Sequence, residues 1–257
     1  DDYVGRMGIG RIYEGTMKVG QQVSVLKPDG SERNGKITKI FIAEGLNKKE
    51  VSEASAGEIV TVAGIDDIYV GETVAAKQVT EPLPAISIDP PTISMSFLVN
   101  NSPFAGKEGS QLTTRQIRAR LEREKETNVG LHVEAIEGTD SFRVSGRGEL
   151  HLSVLIESMR REGFELQVSR PEVIFQEIDG VVCEPVEHVI IDVPEEFSGT
   201  IINLLSQRKG EMQDMKTEDD QCRIEFLVPT RGLLGFRGDF IIETKGEGIL
   251  NHSFLKF

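Results

Sequence analysis

TISMSFLV, residues 92–99, alternates apolar with polar side chains and predicts a β-strand that buries one face. It opens residues 92–168, in which the predicted elements follow the order strand, helix, strand, strand, helix, strand. Residues 184–254 repeat that order with an unrelated sequence. Each copy is long enough for one split βαβ unit, a sheet with two helices on one face. We therefore predict a multidomain fold that contains two consecutive α+β, ferredoxin-like units.

Start signals and apolar spacing mark the helices of both copies. Thr113 and Gln116 form a capping-box signature for a helix that ends near Thr127. The next helix has an apolar face with the i, i+3, i+4, i+7 spacing, made by Leu152, Leu155, Ile156 and Met159. In the second copy, Gly210 is predicted to be the left-handed residue that ends the first helix. A single helix is predicted over residues 231–244.

The first 79 residues contain short β-like runs and no convincing helix period. Turn sequences such as KPDG, residues 27–30, separate the runs and predict a closed β-barrel. The predicted strands are residues 10–13, 22–26, 35–42, 58–62 and 73–76. A proline-rich segment, residues 82–91, predicts a semi-rigid linker and a hinge. The predicted domains are residues 1–84, 90–175 and 181–257, with a bridging strand over residues 173–178.

The composition is that of ordinary globular domains. Of 257 residues, 38% are hydrophobic and 28% are charged, which fits two or three domains. The sequence contains no run of about 18 apolar residues, so it predicts no membrane span. Its first residues do not have the pattern of a signal peptide. Because only Cys183 and Cys222 are present, we expect reduced thiols and a cytoplasmic location.

The net charge of −13 argues against a general nucleic-acid binder, whose field is normally basic. Most of the acidic excess lies in residues 176–257. Any contact with phosphate must therefore come from local basic clusters.

The sequence contains no motif that predicts catalysis or cofactor binding. It has no GxxxxGK[ST] phosphate loop, and the glycines Gly5, Gly8 and Gly10 open a strand rather than a helix. The histidines show no HExxH or CxxC partner spacing, so no metal site is expected. Glu149 and His151 make a poor acid–base pair, because side chains two positions apart on a helix diverge. We expect these residues not to be an enzyme on their own.

Two strings are more distinctive. GRGELHL, residues 146–152, predicts a tight turn into a helix whose start carries Glu149, where a negative charge is favourable. A simple strand-to-helix turn also explains this string. In PTRGLLGFRGDF, residues 229–240, glycine recurs at Gly232, Gly235 and Gly238. Each glycine costs about 1 kcal/mol of helix propensity, so the pattern indicates close packing or a functional demand.

These strings carry a resemblance that covers essentially the whole sequence. The sequence resembles the translational GTPases of the elongation factor G class. The resemblance lies in the order of a barrel, a unit with GRGELHL, and a unit with PEEFSG (194–199) and PTRGLLGFRG. PTRGLLGFRGDF followed by TKGEGILNH (244–252) is most similar to the BipA (TypA) family within that class. DYVGR (2–6) and GRI (10–12) are similar to the second domain of these factors. The family's GTPase domain and its special carboxy-terminal domain have no counterpart here, so a fragment is expected.

The resemblance implies a ribosome-associated protein without a membrane partner. In the family the barrel meets the small subunit, and the two α+β domains reach toward the intersubunit space and the stalk base of the large subunit. The implied partners are rRNA, ribosomal proteins and the protein's own GTPase domain. GTP and Mg²⁺ are expected in that upstream domain, and no cofactor is expected within these residues.

Nine basic residues are candidates for contacts with RNA, with the ribosome or between domains. They are Arg115, Arg118, Arg147, Arg160, Arg161, Arg208, Lys209, Arg231 and Arg237. Acidic residues interleave with the arginines of the helix after Thr113, which is also typical of an internally paired, solvated face. Arg208 and Lys209 also suit the negative end of a helix. Arg231 and Arg237 are the strongest candidates, because they lie in the family-specific string.

A second function remains open from the residues alone. Tandem ferredoxin-like domains often form ligand pockets between them, so a small-molecule-sensing regulatory module is the alternative to a ribosome-binding part that relays the nucleotide state.

Overall fold

The structure is a computed structural model that describes residues 5–257. It divides between residues 87 and 88 into two compact units, and this division falls inside the proline-rich segment. The predicted motif residues Asp2, Tyr3 and Val4 lie outside the described residues. Gly8 and Gly10 lie in a strand, as the sequence predicts.

The first unit consists of β-strands. They are β1 (Met7–Arg11), β2 (Thr16–Lys18), β3 (Gln22–Leu26), β4 (Glu32–Lys36), β5 (Lys39–Glu44), β6 (Asn47–Val51), β7 (Glu53–Ser55), β8 (Ile59–Ala63) and β9 (Thr73–Ala76). Their pairing gives three sheets with the orders β1-β8-β5-β6, β2-β7 and β4-β3-β9. Side chains from these strands, including Val25 and Ile40, are fully buried in one core.

The predicted closed barrel is not found among residues 5–87, because the hydrogen-bonded ladders stop where the chain changes sheets. The predicted strand 35–42 is two strands, β4 and β5, for the same reason. Between them, the Ile37 N–H donates to the Gln21 carbonyl (3.0 Å) and the Thr38 N–H donates to the Ala63 carbonyl (2.9 Å). Neighbouring residues thus bond to different sheets.

The second unit begins with a five-stranded antiparallel sheet covered by two helices. Its elements are β10 (Ile93–Val99), α1 (Thr114–Thr127), β11 (His132–Ala135), β12 (Ser141–Gly146), α2 (Glu149–Arg161), β13 (Leu166–Val168) and β14 (Glu172–Val173). The strand order is β11-β12-β10-β13, and β14 also pairs with β10. The predicted capping box of Thr113 and Gln116 is present at the start of α1. We call residues 93–173 the first half.

A hairpin of β15 (Gln176–Ile178) and β16 (Val181–Cys183) follows. The predicted bridging strand over residues 173–178 is therefore wrong, since β14 and β15 belong to different sheets. The Ile174 N–H bonds the Thr92 carbonyl at 2.9 Å, and the chain leaves the first sheet after this contact.

The remaining elements form the second half, residues 186–256. They are β17 (Val186–Pro194), α3 (Glu195–Gln207), β18 (Glu211–Glu218), β19 (Gln221–Pro229), α4 (Thr230–Leu233), α5 (Phe236–Glu243) and β20 (Ile249–Lys256). The sheet order is β18-β19-β17-β20. In both halves the first and third strands are therefore central in the run of four, and the second and fourth lie at its ends. Phe226, Phe236 and Ile201 are fully buried in the core of the second half.

Two predictions for the second half are corrected. The left-handed residue after α3 is Lys209, with φ 66°, and not Gly210. Gly210 is needed for space, because a Cβ there would lie 2.8 Å from the Leu205 carbonyl oxygen. The single helix predicted over residues 231–244 is two helices, α4 and α5, because Gly235 adopts φ 72° between them.

Candidate functional site

GRGELHL forms the entry to α2 and holds the end of α1 beside it. The ring of His151 accepts the Arg147 N–H at Nδ1 (3.3 Å), and its Nε2 lies 2.9 Å from the Asn128 side-chain oxygen. Asn128 is the residue that caps the end of α1. Since Nδ1 accepts, Nε2 carries the proton and the neutral imidazole fits both bonds. Partial burial and then the charge of Arg147 lower the pKa of His151, which favours this neutral form.

The family-like glycines of the second half have three different roles. A Cβ on Gly232 would collide with the backbone carbonyl of Arg208. Gly235 has a left-handed backbone that glycine adopts at little cost. Gly238 faces open space, with no atom within 4 Å of a Cβ placed there. Close packing therefore explains Gly232, backbone conformation explains Gly235, and neither explains Gly238.

Arg208 holds the break between α4 and α5 in place. Its Nη1 donates to the carbonyl oxygens of Gly232 (2.8 Å) and Leu234 (3.0 Å), and its Nη2 donates to Asp239 (2.6 Å). The guanidinium also lies 5.4 Å from the ring centre of Phe236. The planar, multi-donor guanidinium suits such a set of acceptors. Arg208 therefore satisfies carbonyl groups that the interrupted helix leaves without partners.

The two distinctive strings meet at this break. The Gly235 N–H of the second half donates to the Glu149 carboxylate of the first half at 2.9 Å. Leu234, the preceding residue, packs against the hydrophobic core of the first half. We call Glu149, Leu234 and Gly235 the joint. It combines a charge-assisted hydrogen bond with an apolar contact, so it couples the two halves through the residues that distinguish their sequences.

Two family models and several curated relatives match this sequence. Residues 5–75 match the family described as "Elongation factor Tu domain 2", and residues 181–257 match the one described as "Elongation factor G C-terminus". The chain is 56% identical to the "Large ribosomal subunit assembly factor BipA" of Synechocystis sp. over 100% of its length, and 56% identical to that of Bacillus subtilis over 99%. The protein of that name from Escherichia coli (strain K12) is 49% identical over 99% of the chain.

The chain belongs to the BipA family. It spans 42–43% of the length of these relatives. The resemblance read from the sequence is thus confirmed, and both matched families belong to elongation factors.

Four of the nine basic candidates in this BipA-family chain are already engaged within it. Arg160 and Arg161 both donate to Glu157 at 2.8 Å, and these bonds lower the pKa of Glu157 to about 2. Arg231 donates to Glu184 at 2.6 Å. Arg208 belongs to the break described above. These four guanidiniums are not free charges.

The other five candidates have no carboxylate partner among residues 5–257. They are Arg115, Arg118, Arg147, Lys209 and Arg237. Arg118 packs over the ring of Phe142, 5.5 Å from its centre, which leaves the charge accessible. Arg120, by contrast, pairs with Glu124 and Glu162 at 2.8 and 2.6 Å. The interleaved acids of α1 are therefore partly internal partners, as the sequence suggested.

Sequence reasoning missed the role of Glu165. Its carboxylate accepts the backbone N–H groups of Gly106, Glu108 and Gly109 at 3.0–3.2 Å, together with the Asn100 side chain. Partial burial raises the pKa of Glu165, but these hydrogen bonds outweigh it and the net shift is downward. The two glycines of the loop were the visible signal, although nothing in the sequence pointed to their acceptor.

Within the described range, no cluster of three or more His, Cys, Asp or Glu side chains is arranged to hold a metal ion. Cys183 and Cys222 are free thiols, and Cys222 is buried. None of the helices in residues 5–257 has the length and apolar character needed to cross a membrane.

Proposed function

We propose that these residues are the ribosome-docking portion of a BipA-like translational GTPase and that they relay its nucleotide state to the ribosome. The relatives at 49–56% identity are named as assembly factors of the large ribosomal subunit, which supports a ribosomal partner. GTP and Mg²⁺ would be bound by a GTPase domain outside these 257 residues, and that domain would be a second partner. In this proposal these residues bind and transmit and do not catalyse, and ribosome docking would place them in the cytoplasm.

The joint is the observation that carries the relay. A relay needs parts that move as rigid bodies and a segment that bends between them. Glu149, Leu234 and Gly235 couple the first and second halves, so these halves are proposed to move as one body. The proline-rich residues 82–91, where the compact units divide, are the proposed hinge. The domain bounds proposed for this mechanism are residues 1–84, 90–175 and 181–257.

The five uncompensated basic residues are the proposed rRNA contacts. Phosphate contacts require cations that are not already neutralised, since a cation held by a carboxylate must break that bond first. Arg115, Arg118, Arg147, Lys209 and Arg237 meet this condition. Arg237 also lies in α5, next to the joint, so its contact would report directly to the coupled halves.

Cosedimentation of the full-length protein with ribosomal particles tests the proposal. Binding is measured with GDP and with a non-hydrolysable GTP analogue over a series of salt concentrations. We expect binding that depends on the nucleotide and weakens with salt. Binding that ignores both variables would contradict the proposal.

A matched pair of variants tests the assignment of contacts. Arg237→Met removes an uncompensated cation and is expected to reduce the slope of log K against log salt by about one. Arg161→Met removes a cation that is already paired with Glu157, and it is expected to leave the slope unchanged. Equal effects of the two variants would reject the assignment.

A further inference from the structure

The two end strands of the second half differ in a way that suggests a docking edge. β18, with the sequence EMQDMKTE, has charged side chains along its length, and such charges keep an end strand from pairing with other chains. β20, with the sequence ILNHSFLK, contains no Asp, Glu or Arg, and its single lysine is the last residue of the strand. Within residues 5–257, β20 pairs with β17 alone. One edge of the sheet is therefore protected by charge, and the other is not.

Apolar side chains border the unprotected edge on both faces of the sheet. Ile249 pairs with Asp192 on the face away from the helices and is 58% exposed. Leu250, the next residue, packs on the core side. An added strand places alternate side chains on the two faces of a sheet. Each row of its side chains would thus find an apolar partner at the start of β20, where Ile249 and Leu250 lie on opposite faces.

Helix α5 places a further exposed apolar side chain near this edge. Its Asp239 bonds Arg208 at the end of α3, so the Asp239 flank of α5 faces α3. Residues two apart lie on nearly opposite flanks of a helix, because each residue turns about 100°. Ile241 therefore lies on the flank away from α3 and is 51% exposed. The ring of Phe240 fills the space against Gly248, which places α5 over the start of β20.

We propose that β20 is an acceptor strand, which pairs through its open edge with an extended segment of the same polypeptide from outside these 257 residues. The relatives are more than twice as long as this chain, which spans 42–43% of their length, so such polypeptide is abundant. A tethered segment also binds at a high effective concentration. A second copy of this chain fits less well, because the acidic excess of residues 176–257 would be brought against itself.

Hydrogen–deuterium exchange on the full-length protein tests this inference. End strands without a partner expose half of their amides to solvent. If the open edge of β20 is occupied, the strand is paired on both sides, and its amides are expected to exchange about tenfold more slowly than those of β18. Similar exchange from the two strands would overturn the proposal.

Photo-crosslinking from β20 identifies the occupant. A photoactivatable phenylalanine analogue replaces Asn251, which is exposed in the middle of β20. We expect crosslinks within one molecule to a segment outside residues 1–257. Crosslinks to a second copy, to residues 5–87 or to a ribosomal protein would overturn the proposal, as would the absence of a crosslink.

A pair of lysine variants separates docking from folding. Ile249→Lys is expected to speed exchange in β20 about tenfold and to leave the buried strand β19 protected. Met212→Lys places the same change on β18, where Met212 is 51% exposed, and is expected to leave β20 exchange unchanged. If Ile249→Lys changed nothing in β20, or if both variants acted alike, the edge would have no specific occupant.

Discussion

The two halves of the second unit have the same strand order and differ in how their second helix is built. In the first half, α2 is continuous from Glu149 to Arg161. In the second half, the corresponding stretch is divided into α4 and α5 at Gly235. The break exposes the Gly235 N–H, which bonds Glu149 of α2, and it directs Leu234 into the core of the first half. An interruption that weakens one helix thus provides the contact between the halves.

The largest expected effect separates the glycines that surround the break. Gly232→Ala would push a methyl group into the Arg208 carbonyl, and we expect it to reduce the free energy of unfolding by about 1–3 kcal/mol. Gly238→Ala faces open space and is expected to stabilise the protein by up to about 1 kcal/mol through helix propensity. Urea denaturation measures both. Effects of the same sign would show that the glycines share one role.

The next effect concerns the side chain that supports the break. Arg208→Met removes the donors to the Gly232 and Leu234 carbonyls, and we expect a loss of about 2 kcal/mol in the free energy of unfolding. Lys209→Met, one residue later, removes a cation without such acceptors and is expected to change stability by less than about 0.5 kcal/mol. Comparable losses in urea denaturation would mean that general charge near α3 matters, and not the guanidinium bonds.

A smaller effect is expected when the joint itself is cut. Glu149→Ala removes the acceptor of the Gly235 N–H and should cost about 1 kcal/mol. Exchange of the Gly235 amide should accelerate with it. Glu149→Gln keeps an acceptor oxygen and should retain part of the protection. If the Gly235 amide exchanged at one rate in all three proteins, the hydrogen bond would not couple the halves.

The smallest effect is a dependence on pH that is confined to the first half. Because the pKa of His151 is lowered by folding, the unfolded chain takes up the proton more readily as the pH falls. The stabilising contribution of neutral His151 is therefore present above the ordinary pKa near 6.5 and is lost as the pH falls below that value. Unfolding of the wild type and of His151→Gln at pH 7.5 and 5.5 measures this contribution. We expect a weaker pH dependence in the variant, and an equal one would contradict it.

Local signals predicted most of the α+β fold. The capping box of Thr113 placed the start of α1 correctly, and the apolar spacing of α2 identified Leu152, Leu155 and Met159, which are buried. The β-strand β6, with the sequence NKKEV, was missed because its side chains are almost all polar and exposed. Its position is decided by backbone pairing with β5, which leaves no pattern in the side chains.

The site was less predictable than the fold, because it depends on contacts between distant residues. Glycine spacing drew attention to Gly232, Gly235 and Gly238, but the suggested close packing holds only for Gly232. It could not show that Arg208 would bond the carbonyls of Gly232 and Leu234, since these residues lie 24 and 26 positions from Arg208 in the sequence. Similarly, Glu149 and Gly235 are separated by 86 positions. A helix-end charge and a contact with RNA both explained Arg208 before its partners were known.

The Glu165 carboxylate has a consequence for how the loop before α1 can diversify. The loop contributes mainly backbone N–H groups, which every residue except proline supplies. The side chain of Glu108 can therefore change while its N–H stays in place, whereas Gly106 is held by its φ of 83° and Gly109 by its contact with the Gly163 carbonyl. The path of the loop also depends on an acidic residue, Glu165, that lies more than fifty positions further along the chain. An aspartate there would be one carbon too short to reach the same donors, so a substitution far outside the loop would change the loop's shape as surely as one at its two glycines.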